Sequence, residues 1–104
     1  MDKYISYLWR EVSYDNYWRI QTTDPIVKRK LSRRNTAKLV VECFNHPMVI
    51  YKLQYYSPQK AKLSFQRLIG QKIKKDYEDG VFYAETYPIL TNNNIPEVQN
   101  EPIK

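Results

Sequence analysis

Two sites at which a helix-capping residue directly precedes a proline restrict where helices can begin in this chain. These sites are Asp24-Pro25 and Ser57-Pro58. Proline fits the first helical position because its missing N–H has no intrahelical partner there, and the side chain before it can accept a hydrogen bond from a free backbone N–H. With Thr23 or Asp24 as the cap, the sequence predicts a helix over residues 25–33. A second helix is predicted from Pro58 to the region of Gly70, which either ends or weakens it.

The segments outside these helices alternate between apolar and polar residues, as strands with one buried face do. Residues 16–22 place Trp18 and Ile20 on one face of a strand and Tyr17, Arg19 and Gln21 on the other. The further predicted strands are residues 37–44 and 48–56, joined as a hairpin by a turn at Asn45-His46-Pro47, and residues 81–87. Residues 4–12 fit either a strand paired with residues 16–22 or a short helix, and we favour the strand.

Apart from residues 4–12, the predicted order is β-α-β-β-α-β, the split βαβ pattern of ferredoxin-like folds. We therefore predict a single α+β domain over residues 1–87, in which an antiparallel sheet carries two helices on one face and leaves the other face open. Residues 4–12 would add an N-terminal strand. The competing prediction is another α+β sandwich with an extra hairpin strand. Residues 88–104, with three prolines and three consecutive asparagines, are predicted to form an extended or disordered tail.

The chain has 17 basic and 11 acidic residues, a net charge of +6 and an isoelectric point near 9.4. This balance is compatible with binding to nucleic acid, to an anionic membrane or to an acidic protein. The single cysteine, Cys43, excludes an internal disulfide, and the N-terminus lacks the apolar segment of a signal peptide. No apolar run reaches the ~20 residues of a membrane span. We therefore expect a cytoplasmic protein that does not enter a membrane.

Basic residues are concentrated at the first predicted helix. The stretch DPIVKRKLSRR contains Lys28, Arg29, Lys30, Arg33 and Arg34. No acidic residue lies between Asp24 and Glu42, so these cations have no partner one helical turn away. One interpretation is a solvated helix face. The other is a surface for nucleic acid phosphates, with Lys28, Arg29, Arg33 and Arg34 as the contacting residues.

A second candidate surface lies on the predicted open face of the sheet. Alternation places Tyr17 and Arg19 on the same side as Lys52 of the 48–56 strand. Aromatic rings can stack unpaired bases while Arg and Lys hold phosphates, so this combination is typical of a platform for single-stranded nucleic acid. Tyrosine is also a common strand residue, and such a face can be covered by a terminal segment or by a second subunit. The sequence is compatible with both interpretations.

Metal and catalytic motifs are incomplete in this sequence. Cys43 and His46 have the C-x-x-H spacing of half a zinc site, but the chain has no other cysteine or histidine to complete it. A buried cysteine and a turn histidine are the simpler interpretation. A nuclease-like site would require Asp15, Asp24 and Glu42 to converge from distant segments. The sequence therefore predicts no metal site, no cofactor and no catalytic residue.

These observations favour a small non-enzymatic binding protein that contacts nucleic acid phosphates. The supporting residues on the sheet would be Tyr17, Arg19 and Lys52. The alternative is a protein-interaction module, or an inhibitor encoded by a mobile element, that binds an acidic protein or forms a homodimer through its sheet face. An enzyme is the third hypothesis, because it needs carboxylates that only the fold could bring together.

Overall fold

Strands and helices follow one another in the order β-β-α-β-β-α-β in the computed structural model, which describes residues 3–12, 14–73 and 81–88. The strands are β1 (Tyr4–Trp9), β2 (Tyr17–Thr22), β3 (Lys38–Glu42), β4 (Val49–Gln54) and β5 (Phe82–Thr86), and the helices are α1 (Pro25–Ser32) and α2 (Pro58–Ile69). Each element lies inside the range predicted for it. The α+β class is therefore confirmed, and residues 4–9 form a strand.

All five strands belong to one antiparallel sheet with the order β3-β4-β2-β1-β5. This order does not confirm the ferredoxin-like arrangement, in which β2 and β5 would be neighbours. Instead β1 lies between them, pairing Leu8 with Ile20 of β2 and with Phe82 of β5. The connection from β1 to β2 is short, so β1 forms a hairpin on the edge of β2 and β5 pairs with the edge that β1 leaves free.

The core lies on one side of this sheet, where both helices pack. Its largest fully buried side chains are Trp18 of β2 and Phe65 of α2. Val27 and Leu31 of α1 join the same cluster. Side chains that alternate with the buried strand residues are only partly buried, as in β2, whose burial alternates along its length. The domain therefore has two layers, with a sheet face that points away from the helices.

Asp24 anchors the start of α1 and links it to the far edge of the sheet. It is the N-cap, and its Oδ1 accepts a hydrogen bond from the backbone N–H of Ile26 at 2.8 Å. Its Oδ2 accepts a hydrogen bond from the hydroxyl of Thr86 in β5 at 2.6 Å. Thr23, the other candidate cap, instead accepts a hydrogen bond from the backbone N–H of Ile5 through its hydroxyl. The cap prediction is resolved in favour of Asp24.

The boundaries of α2 follow the predicted signals. Ser57 caps its N-terminus by accepting a hydrogen bond from the N–H of Lys60 at 3.1 Å. Gly70 ends the helix in the left-handed conformation with φ of 73°, and its N–H donates to the carbonyl of Gln66. The caps thus fix the two ends of α2, and its buried residues Ala61, Phe65, Leu68 and Ile69 pack it into the core.

The predicted tail over residues 88–104 lies outside the described residues except for Pro88. Among the helices of the described chain, neither has the length and apolar character needed to cross a bilayer.

Candidate functional site

The helical layer, defined here as α1, α2 and the turn at Arg33 and Arg34, contains cations and no carboxylate. Its basic residues are Lys28, Arg29, Lys30, Arg33, Arg34, Lys60, Lys62 and Arg67. The sequence has no acid between Asp24 and Glu42, and none between Glu42 and Asp76. Ion pairs between described residues join Lys3 to Glu85 and Arg19 to Glu11, so neither lies in the helical layer. The two helices therefore contribute positive charge to this side of the protein and no negative side chain of their own.

The basic residues of α1 differ in their environments. Arg29 and Arg33 are exposed, whereas Lys28 is partly buried. Lys30 reaches across to the C-terminal turn of α2, where its Nζ donates to the carbonyl of Leu68 at 3.2 Å. That contact places a cation at the negative end of the α2 dipole and satisfies a carbonyl that has no helical partner. Lys30 therefore has a structural role, while Arg29 and Arg33 present their charges to solvent.

Arg34 is held between α1 and α2 by neutral groups. Its Nη1 donates to the Ser64 hydroxyl at 3.0 Å and to the Tyr55 hydroxyl at 3.4 Å. The two hydroxyl oxygens are themselves 2.5 Å apart. A cleft of about 410 Å³ opens at this point, lined also by Lys60 and Arg67. Three cations thus share one concave site.

The outer sheet face, defined by the side chains of Tyr7, Trp9, Tyr17, Arg19 and Lys52, points away from the helices. Lys52 Nζ lies 4.6 Å from the centre of the Tyr17 ring, and the Arg19 guanidinium lies 5.6 Å from the centre of the Trp9 ring. Cation–π contacts of this kind stabilise each cation over a partly exposed ring. Tyr17, Arg19 and Lys52 lie close together, as alternation along the strands predicted. Arg19 is the direct partner of Lys52 in the sheet, and Lys52 contacts the Tyr17 ring.

A row of three cations crosses neighbouring strands on this face. Lys38 of β3 pairs with Lys52 of β4, which pairs with Arg19 of β2. Like charges directly opposite each other destabilise a sheet. Glu11 relieves part of the repulsion through a 2.8 Å contact with Arg19. A cleft of about 580 Å³ lies beside Lys38 and Lys52, with Tyr17 and Tyr56 in its lining.

A scan against protein-family models, a search of curated proteins and a search of solved structures each found no match to this chain.

The two predicted sets of binding residues are separated by the sheet. Lys28, Arg29, Arg33 and Arg34 belong to the helical layer, whereas Tyr17, Arg19 and Lys52 belong to the outer sheet face. A straight, rigid polyanion can contact one of these surfaces but cannot contact both at once. A flexible single strand would have to pass around the edge or end of the sheet to reach both.

Neither the cysteine and histidine nor the carboxylates form a site in the described chain. Cys43 is a free thiol, and His46 Nδ1 accepts a hydrogen bond from the N–H of Met48 in a turn. Asp24 uses both oxygens in structural hydrogen bonds, and Asp15 accepts one from the N–H of Tyr17. No group of three metal-binding side chains comes together among the residues that the structure describes.

Sequence reasoning missed several residues of both surfaces. Trp9 was not placed because residues 4–12 alternate in a way that also fits a short helix. Lys38 could have been found from the predicted hairpin, since its position opposite Lys52 depends on the register of that pair. The contacts of Tyr55 and Ser64 with Arg34 carried no local signal, because they join residues 21 and 30 positions apart.

Proposed function

We propose that this protein is a non-enzymatic binding protein that contacts the phosphates of nucleic acid through its helical layer. The observation that carries the proposal is the complete lack of acidic residues on two adjacent helices that present cations to solvent. Lys and Arg on a protein surface neutralise phosphates and release condensed counterions, which gives affinity that depends on salt and little on base sequence. Arg29 and Arg33, which are exposed, are the primary contacts.

The outer sheet face is a second contact surface in this proposal. Its aromatic rings can stack unpaired bases, and Lys38 and Lys52 can hold the adjoining phosphates. Stacking requires unpaired bases, and a rigid duplex held by the helical layer does not reach this face, so we expect its contribution for single strands. A Lys52→Gln variant should therefore weaken the binding of single strands more than that of duplexes.

The test is fluorescence anisotropy with single-stranded and duplex DNA and RNA of matched length, titrated at several salt concentrations. Arg33→Gln should weaken binding to all sequences similarly. It should also make the negative slope of log affinity against log salt shallower, by about 0.7 for single strands and about 0.9 for duplexes. Lys3→Gln is the matched control, because it removes the same charge from the β1 end of the sheet and should leave the slope unchanged.

Two outcomes would contradict the proposal. Equal slopes for Arg33→Gln and Lys3→Gln would mean that net charge, and not the helical layer, governs binding. Absence of binding to every probe at low salt would exclude nucleic acid as the partner. An acidic protein, which would use the same cations, would then become the leading hypothesis.

A second candidate function, self-association, is favoured by the exposed edge strand β3. Leu39 and Val40 in this strand are 48% and 46% exposed, and Phe44 just beyond it is 99% exposed. Among the described strands β3 pairs with β4 alone, so within this part of the chain its other edge has no strand partner, and a bulge near Val40 interrupts it. An antiparallel pair of two such strands would bring Lys38 of one copy toward Glu42 of the other. Analytical ultracentrifugation should then show a dimer that Val40→Lys dissociates; a monomer at all concentrations excludes it.

A further inference from the structure

The cleft between the end of α1 and the outer side of α2 has a specific chemical composition. Its lining consists of three cations, Arg34, Lys60 and Arg67, two hydroxyls, from Tyr55 and Ser64, and the apolar side chain of Leu63. Its volume of about 410 Å³ lies within the range of sites that hold small ligands. No carboxylate contributes to the lining, so the three cations favour an anionic ligand.

The guanidinium of Arg34 is oriented for such a ligand. Both of its hydrogen bonds, to Ser64 and Tyr55, start from Nη1. The Nη2 and Nε donors have no partner among the described residues. These two groups form the planar edge with which arginine binds two oxygens of a phosphate at once. Because the hydroxyls of Ser64 and Tyr55 are neutral, they hold the guanidinium in place without cancelling its charge.

The number of cations distinguishes between two kinds of phosphate. Lys60 and Arg67 are seven residues apart on α2. Seven residues correspond to about two helical turns, so the two side chains lie on the same side of the helix. Together with Arg34 they bring three positive charges to one cleft. An internal phosphodiester has a single negative charge, whereas a phosphate monoester has a charge of about −1.5 to −2 at neutral pH. The cleft therefore matches the monoester better.

We propose that this cleft binds a phosphate monoester, namely the terminal phosphate of a nucleic acid strand, with Arg34 as its main contact. This inference rests on the proposed function, since the exposed Arg29 and Arg33 on the adjoining α1 surface would hold the internal phosphates that follow. Leu63, which is 53% exposed at the rim, provides an apolar contact for the terminal sugar or base. Tyr55 and Ser64 are positioning residues that act through Arg34.

The experiment compares one internally labelled oligonucleotide with a 5′-hydroxyl, a 5′-phosphate or a 3′-phosphate end, by fluorescence anisotropy. The unmodified protein should bind either the 5′-phosphorylated or the 3′-phosphorylated oligonucleotide about tenfold more tightly than the oligonucleotide with a 5′-hydroxyl, as expected for charge-assisted hydrogen bonds. Arg34→Lys keeps the charge but loses the planar edge, and should remove most of this preference. Arg29→Lys is the matched control on α1 outside the cleft. Because Arg29 is a proposed contact for internal phosphates, this variant should change the affinity for all three ends alike and leave the preference between them unchanged.

Tyr55→Phe provides a second variant that does not depend on the first one folding. It keeps the ring that packs against the core and removes the hydroxyl bonded to Arg34. It should reduce the preference for the phosphorylated end while binding of the hydroxyl end stays within about twofold.

The outcomes separate this inference from the proposed function. Salt-sensitive binding that is equal for all three ends overturns the monoester cleft and leaves the helical surface as proposed. A preference that survives both Arg34→Lys and Tyr55→Phe overturns the assignment to this cleft. Failure of every oligonucleotide to bind overturns both proposals.

Discussion

Removing the carboxylate of Asp24 should lower the free energy of unfolding by more than the loss of a helix cap alone, because both of its oxygens accept hydrogen bonds. Asp24 is only 5% exposed, and each of its oxygens accepts one hydrogen bond, from the N–H of Ile26 and from the hydroxyl of Thr86. In Asp24→Ala the lost helix cap costs about 1 kcal/mol. The hydroxyl of Thr86, which is 7% exposed, loses its partner at a cost of about 1–3 kcal/mol. The free energy of unfolding should therefore fall by about 2–4 kcal/mol.

Asp24→Asn tests whether hydrogen bonding or charge is responsible. The asparagine carbonyl can still accept from the N–H of Ile26, and its amide can donate to the oxygen of the Thr86 hydroxyl, which also accepts. We expect Asn to cost no more than about 1 kcal/mol. Urea unfolding followed by tryptophan fluorescence measures these values, because Trp18 is fully buried in the core.

Asp15→Ala is the matched control, since Asp15 accepts a hydrogen bond from a backbone N–H in an exposed turn. It should cost about 0.5 kcal/mol. The reasoning is refuted if Asp24→Ala costs no more than Asp15→Ala. An Asn variant as unstable as the Ala variant would instead show that the negative charge of Asp24, and not its hydrogen bonds, stabilises the fold.

Two further predictions concern stability. Gly70→Ala should lower the free energy of unfolding by about 1 kcal/mol, because φ of 73° strains an L residue although no neighbour lies within 4 Å of the added Cβ; urea unfolding without any loss would contradict this. The hydrogen bond from Lys3, followed by that from Tyr83, holds the pKa of Glu85 below its ordinary value of 4.5. The contribution of Glu85 to the free energy of unfolding is therefore fully present above pH 4.5 and is lost as the pH falls through the lowered pKa. Glu85→Gln should therefore flatten the acid side of the stability profile, measured by urea unfolding between about pH 2 and pH 7, and an unchanged profile would contradict the assignment.

The order of elements was accessible from the sequence because its signals are local. Asp24 and Ser57 each precede a proline, and both turned out to cap helices. The shared face of Arg19 and Lys52 followed from strand alternation, and the register pairs them directly. The position of β1 in the sheet was not accessible, because it depends on pairing with β5, more than seventy residues away, as the partners Leu8 and Phe82 illustrate.

The sequence identified residues of both candidate surfaces, but it did not show where the two surfaces lie relative to each other. Composition identified Arg29 and Arg33, since a run of cations without acids is visible in any single segment. Their separation from Tyr17 and Lys52 depends on which sheet face the helices cover, and this is decided by packing of the whole core. The cleft at Arg34 required a tertiary arrangement that no local pattern reveals.

The pairing of β1 with β5 has a consequence for how the chain folds during its synthesis. Tyr4 is the partner of Thr86, so β5, the last of the described strands, closes onto β1, the first of them. Strands β1 to β4 and both helices can associate before β5 is synthesised. In that intermediate the edge of β1 that pairs with β5 is unpaired, and the core lacks the side chain of Phe82. A ribosome stalled before residue 82 would therefore present a sheet that lacks β5 and whose unpaired β1 edge is prone to aggregation, and the five-stranded sheet would form only after β5 emerges.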